Sequence, residues 1–103
     1  MKKITLEEHF STFELSKIRN EWVQRMGIPL PVNADRGMQL GRLLGDFENY
    51  RLPEMDKFDI EIQVVGTSSP SVQGIIDAAD AVAMAREVND ILAENISKHP
   101  DRF

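Results

Sequence analysis

Glu7 and His9 are the residues whose types and spacing most readily suggest chemistry. They lie in TLEEHF, residues 5–10, at the end of a short apolar run that begins at Ile4. On a strand, residues i and i+2 leave the same face, so the two side chains would converge at the strand's C-terminal end. A carboxylate oxygen and an imidazole nitrogen placed together can share a divalent cation. The adjacent Glu8 would leave the opposite face, so Glu7 and Glu8 do not make the facing carboxylate pair of a glycosidase. Taken alone, Glu-x-His is a common pattern, and a solvated strand end with a surface histidine accounts for it more simply.

A second candidate is GTSSPSVQG, Gly66 to Gly74, whose hydroxyls, proline and glycines suit a loop that aims backbone donors at a carboxylate or another anion. A polar connection built from turn residues is the plainer reading. Trp22, with Phe13 and Met26 nearby, could line a pocket, but an aromatic residue at helical spacing is more often core, and Trp22 is read as core. His99 follows a helix and reads as an exposed helix-end residue rather than a ligand. No Walker-type loop, GxSxG, HExxH or GxGxxG occurs, which argues against the nucleotide, serine-hydrolase and zinc-protease chemistries those motifs serve.

The elements that would position these residues are legible to different degrees. Period-2 alternation predicts a strand over about 3–9, with Ile4, Leu6 and Glu8 on one face and Thr5, Glu7 and His9 on the other. In a (β/α)8 barrel the second face would be the interior, and Ile4 and Leu6 would pack outward against the helix layer. Residues 11–46 read as an insertion. Its helix carries Leu15, Ile18, Trp22 and Met26, is capped by Gly27 and is stopped by Pro29 and Pro31. An irregular stretch through Asn33, Gly37 and Gly41 follows, then a helix over about 47–57 that tolerates Pro53 only in its first turn. IEIQVV predicts a second strand over about 60–65. Over about 77–97 an apolar stripe from Ala81 to Ile96 predicts a long amphipathic helix, with Asp77 as N-cap and Pro100 barring extension. Two strands separated by helices imply parallel βα units, yet two strands leave both edges and one face open, so the pattern reads as the opening of a larger sheet or barrel.

Composition narrows the partners. The chain has 103 residues, a net charge of −5 and no basic run beyond Lys2-Lys3, which disfavours nucleic acid. It has no cysteine, so thiolate metal sites and disulfides are excluded, and a reducing cytoplasm is expected. No window approaches the roughly 20 apolar residues of a membrane span, and the N-terminus lacks the apolar core of a secretory signal.

Four blocks taken together resemble a known family: LEEHF, RLPEMDKFDIEIQVV, SSPSVQG and AREVNDILAENISKHPDRF. In order and spacing they are similar to the start of the amidohydrolase-related metal-dependent decarboxylases and hydrolases. Among these they resemble the nonoxidative aromatic-acid decarboxylases, such as the γ-resorcylate, 2,3-dihydroxybenzoate and aminocarboxymuconate-semialdehyde decarboxylases. The resemblance covers residues 2–10 and about 47–103. It implies a (β/α)8 barrel whose first strand gives Glu7 and His9 to one divalent ion, zinc or manganese. The implied reaction removes carbon dioxide from an aromatic or unsaturated acid, with Ser68, Ser69, Pro70 and Gln73 bordering the substrate. The chain departs from the family pattern at Asp59 and Ser71, where relatives carry glycine, and at Pro53, where they carry a good helix former. A glycine at such positions tolerates positive φ, which aspartate adopts at modest cost and serine less readily.

A full barrel needs about 250 residues, so residues 1–103 would supply the first two of its eight βα units. The further histidines and the aspartate that complete the family's site fall beyond Phe103 in relatives. The expectation is therefore an α/β chain carrying half of a metal site, inactive alone, from an enzyme that decarboxylates or hydrolyses a small aromatic carboxylic acid. It would bind neither nucleic acid nor membrane. The alternative is a noncatalytic fragment that folds by self-association, as a homo-oligomer, or with the missing barrel segment.

Overall fold

The computed structural model describes residues 1–29 and 33–103. Within them the order is β1 (Lys3–Phe10), α1 (Phe13–Met26), α2 (Ala34–Gly45), α3 (Arg51–Lys57), β2 (Ile60–Thr67), a 3-10 turn at Ser71–Gly74 and α4 (Ala78–Lys98). The strands pair in parallel, and α1 to α3 form the crossover that such a pairing requires. This is an α/β fold consistent with the first βα units of an incomplete (β/α)8 barrel.

Local chemistry sets the helix ends. Thr12 Oγ1 accepts the Leu15 N–H at 3.1 Å to open α1, and Gly27, at φ 66°, closes it. Pro29 follows Gly27, while the stop assigned to Pro31 lies outside the described residues. The stretch through Asn33, Gly37 and Gly41 is helical, contrary to the irregular reading. Asn33 Oδ1 caps it by accepting the Arg36 N–H at 2.9 Å, and Asp35 and Arg42 sit at the ends of the helix dipole they favour. These end effects hold α2 despite its interior glycines, although it buries no residue fully. Helix α3 starts at Arg51, later than the expected residue 47, because residues 47–50 form a turn organised by Asp46. Pro53 lies in its first turn, where a missing N–H costs no intrahelical bond.

One departure in β1 reorganises both faces of the sheet. Thr5 pairs with Gln63 and Glu8 with Val65, so β1 advances three residues while β2 advances two. The extra residue is a β-bulge, and Glu7 within it has φ 60°. Alternation slips by one there. Thr5, Glu8 and Phe10 share the more buried side, whereas Ile4 and Leu6, at 61% and 70% exposure, lie on the uncovered side along with His9. Ile4 and Leu6 therefore do not pack against the helix layer as alternation from Lys3 suggested. Val64, 52% exposed, extends the open apolar surface on β2.

The helix side holds the core. Phe10, Leu15, Phe47 and Val88 form the buried cluster. The Phe47 ring lies 5.8 Å from that of Phe10 and 5.3 Å from that of Phe103, edge-on to the latter. Trp22 is half-buried against Gly74, where an added Cβ would sit 3.1 Å from Pro70, 3.3 Å from Ile18 and 3.5 Å from Trp22. Both αL positions anticipated from the family's glycines are present, with Asp59 at φ 57° and Ser71 at φ 54°. Among the described residues no helix is long and apolar enough to cross a membrane.

Candidate functional site

Glu7 and His9 sit near the C-terminal end of β1, both exposed. His9 pairs with Gly66 of β2, and the Ser68 N–H donates to the Phe10 carbonyl at 3.1 Å, so the loop after β2 is fastened against that strand end. Within the loop Thr67 Oγ1 donates to Ser71 Oγ at 2.8 Å, and the Ser69–Pro70 peptide is cis. Ser69 and Gln73 are exposed and Ser68 is half-buried. Pro70 is buried beside Gly74, so it shapes the loop rather than offering surface.

The two adjacent acids diverge, as neighbours on a strand do. Glu7 stays exposed in its left-handed conformation, while Glu8 is on the helix side, near enough to Arg51 to favour the charged guanidinium. A carboxylate and an imidazole, neither in an ion pair among the described residues, are a donor set that zinc or manganese accepts. No group of three or more potential metal ligands occurs among the described residues, so the pair is at most half of a site. His99 lies elsewhere, with Nε2 3.1 Å from Glu48 Oε1.

Arg51 was not legible as part of this arrangement. Its Nη2 donates to the His9 carbonyl at 2.6 Å, Nη1 to Gln63 Oε1 at 3.2 Å and Nε to the Asp46 carbonyl at 3.2 Å. Burial lowers its pKa, and Glu8 and Asp46 oppose that shift. Its acceptors are distant in sequence and two are main-chain carbonyls, so no spacing rule points to them.

Asp46 organises the turn that delivers Arg51. Its Oδ2 accepts from the backbone N–H groups of Tyr50 at 2.7 Å and Arg51 at 3.1 Å, and Oδ1 from the backbone N–H and the side-chain amide Nδ2 of Asn49, both at 3.2 Å. Burial pushes the Asp46 carboxyl up, but these donors outweigh it and hold it below the usual carboxylate range. A depressed folded-state pKa stabilises above the unfolded value, and that contribution is lost as pH falls through the folded one. Asp46→Asn is thus expected to lower the melting temperature near neutral pH, with the gap to wild type closing as pH falls below about 4. Thermal melts across that range check this.

The described cavities lie away from Glu7 and His9. One of about 360 Å³ is lined by Lys2, Asp56, Asp59, Glu61 and Asp101 among others, and one of about 320 Å³ lies between α1 and the start of α4. An open two-stranded face encloses no volume, so geometry and donor chemistry locate the candidate site better than concavity does.

No family model matches the chain. γ-Resorcylate decarboxylase of Rhizobium sp. (strain MTP-10005) is 36% identical over 101 residues, covering 98% of this chain and 28% of that enzyme. The enzyme of the same name from Rhodococcus jostii (strain RHA1) is 36% identical over 109 residues, with the same coverage. The chain is homologous to γ-resorcylate decarboxylases over part of their length. It spans 28% of these curated relatives. Among solved structures, 2,6-dihydroxybenzoate decarboxylase complexed with 2,6-dihydroxybenzoate superposes with a TM-score of 0.83 at 35% identity, over 100% of this chain and 29% of that one. The dihydroxybenzoic acid decarboxylase of Polaromonas sp. JS666, with bound manganese and the inhibitor 2-nitroresorcinol, gives 0.80 at 35% identity, over 99% and 28%.

Proposed function

We propose that this chain forms the opening two βα units, residues 1–103, of a metal-dependent, cytoplasmic carboxy-lyase acting on an aromatic carboxylic acid, and that Glu7 and His9 are half of its metal site. One observation carries the reading. Both donors stand exposed near the carboxyl end of β1, beside the loop fastened to that end, in a chain homologous to γ-resorcylate decarboxylases. Barrel enzymes place their chemistry at that rim.

Glu7 and His9 would hold zinc or manganese, and manganese is what the Polaromonas relative contains. A bound ion supplies positive charge that orients and stabilises a substrate carboxylate and a neighbouring oxygen. The protein's part is to hold His9 on the strand paired with β2, to carry Glu7 in the bulge before it, and to border the acid with Ser68, Ser69 and Gln73, over a loop shaped by Pro70. A catalytic zinc normally has three protein ligands, so this chain alone would hold an ion loosely and be inactive. Hydrolysis is the less favoured chemistry for the same site.

Joined to the remaining barrel of a γ-resorcylate decarboxylase, the chain is expected to release carbon dioxide from dihydroxybenzoates, and Glu7→Ala or His9→Ala to abolish both release and metal content. Undiminished metal content in those variants overturns the ligand assignment.

The exposed Ile4, Leu6 and Val64 favour a second reading, a noncatalytic fragment that covers this face by self-association or with a barrel segment. Sedimentation over a wide concentration range is then expected to show a concentration-dependent oligomer without stoichiometric metal. A metal-loaded monomer contradicts it.

A further inference from the structure

We propose that Arg51 is the positioning residue for the metal-donor end of β1, acting on His9 through its carbonyl. This rests on reading Glu7 and His9 as metal donors. The guanidinium is a fork across three elements: Nη2 to the His9 carbonyl at 2.6 Å, Nη1 to Gln63 Oε1 of β2 at 3.2 Å, and Nε to the Asp46 carbonyl before α3 at 3.2 Å. The Phe47 ring supports it from 5.2 Å. Gln63 is itself 7% exposed and its N–H donates to the Arg102 carbonyl at 2.9 Å, so the fork's anchor is fixed in turn. The short bond fixes the His9 peptide plane, and with it the direction from which the imidazole leaves the strand. A bulge next to that residue makes the restraint necessary, because ladder pairing is disturbed between Thr5 and Glu8. Glu8 serves as the nearby counter-charge, which gives the second acid of TLEEHF a role distinct from that of Glu7. A lysine would present one point donor in place of the planar fork and could not hold three acceptors in register.

The test uses the isotope-labelled chain and Mn²⁺ alone, with affinity read from paramagnetic broadening of the Glu7 and His9 resonances. Arg51→Lys and Arg51→Met are expected to weaken Mn²⁺ binding roughly tenfold, as loss of a group that orients a ligand does, and to shift the His9 carbonyl ¹³C resonance. Val88→Ala, which loosens the cluster that holds Phe47 but removes no hydrogen-bond partner of the fork, is expected to leave both readouts near wild-type values. Wild-type Mn²⁺ affinity in either folded Arg51 variant overturns the proposal, as does equal weakening in Val88→Ala. Loss of binding in His9→Ala alongside unaffected Arg51 variants leaves the donor reading standing while this proposal falls. Absence of broadening centred on Glu7 and His9 in the wild type overturns both.

Discussion

Phe10→Ala is expected to lower the unfolding free energy by about 3–5 kcal/mol, the usual cost of removing a buried phenylalanine. Phe10 is 1% exposed and belongs to a buried cluster that also contains Leu15, Phe47 and Val88. The residue also ends β1, and its carbonyl receives the Ser68 N–H that fastens the loop after β2. A domain of this size is stable by roughly 5–15 kcal/mol at most, so the variant forfeits a large share of the total. Urea unfolding followed by far-UV circular dichroism gives the number. A loss below about 1 kcal/mol would place the core elsewhere.

Glu7→Gly is expected to move stability and binding in opposite directions. A non-glycine residue at φ 60° carries about 1–2 kcal/mol of strain, and the added chain entropy of glycine takes back about 0.5–1 kcal/mol. The net gain is therefore about 0–1.5 kcal/mol, while the loss of the carboxylate is expected to abolish Mn²⁺ binding at the strand end. Asp59→Gly, at φ 57°, is the matched control. It is expected to gain less, because aspartate tolerates the left-handed region, and to leave Mn²⁺ binding untouched. A gain in stability together with loss of Mn²⁺ binding in Glu7→Gly would mark Glu7 as a position held for function. If Glu7→Gly unfolds more easily than wild type, the bulge is not a strained feature.

The outline of the fold was legible where one local signal dominated. The stripe from Ala81 to Ile96 and the Asp77 cap give α4, and the β-branched run at residues 60–65 gives most of β2, which extends to Thr67. The shortage of strands showed that one sheet face would be open, and Ile4, Leu6 and Val64 occupy it. Helix α2 was not legible, because Gly37 and Gly41 mask a segment held by its Asn33 cap and by charges at its ends. The bulge was hidden for another reason. Glycine is the usual marker of a left-handed residue, and Glu7 carries none, so plain alternation assigned Ile4 and Leu6 to the wrong side. Arg51 was invisible because its decisive partner, the His9 carbonyl, is 42 positions away and has no side-chain signature.

The most direct test of the half-site is where Mn²⁺ goes on this chain. The competing position is the cavity lined by Asp56, Asp59, Glu61 and Asp101, which offers more carboxylates but no imidazole, with Asp56 and Glu61 paired to Arg102 and Lys2. In a titration followed by amide line broadening, the expected result is broadening centred on Glu7 and His9, spreading to Ser68 and Gln73, and lost in His9→Ala. Broadening centred on Asp56, Asp59 and Asp101, with β1 unaffected, would contradict the assignment of Glu7 and His9 as metal donors.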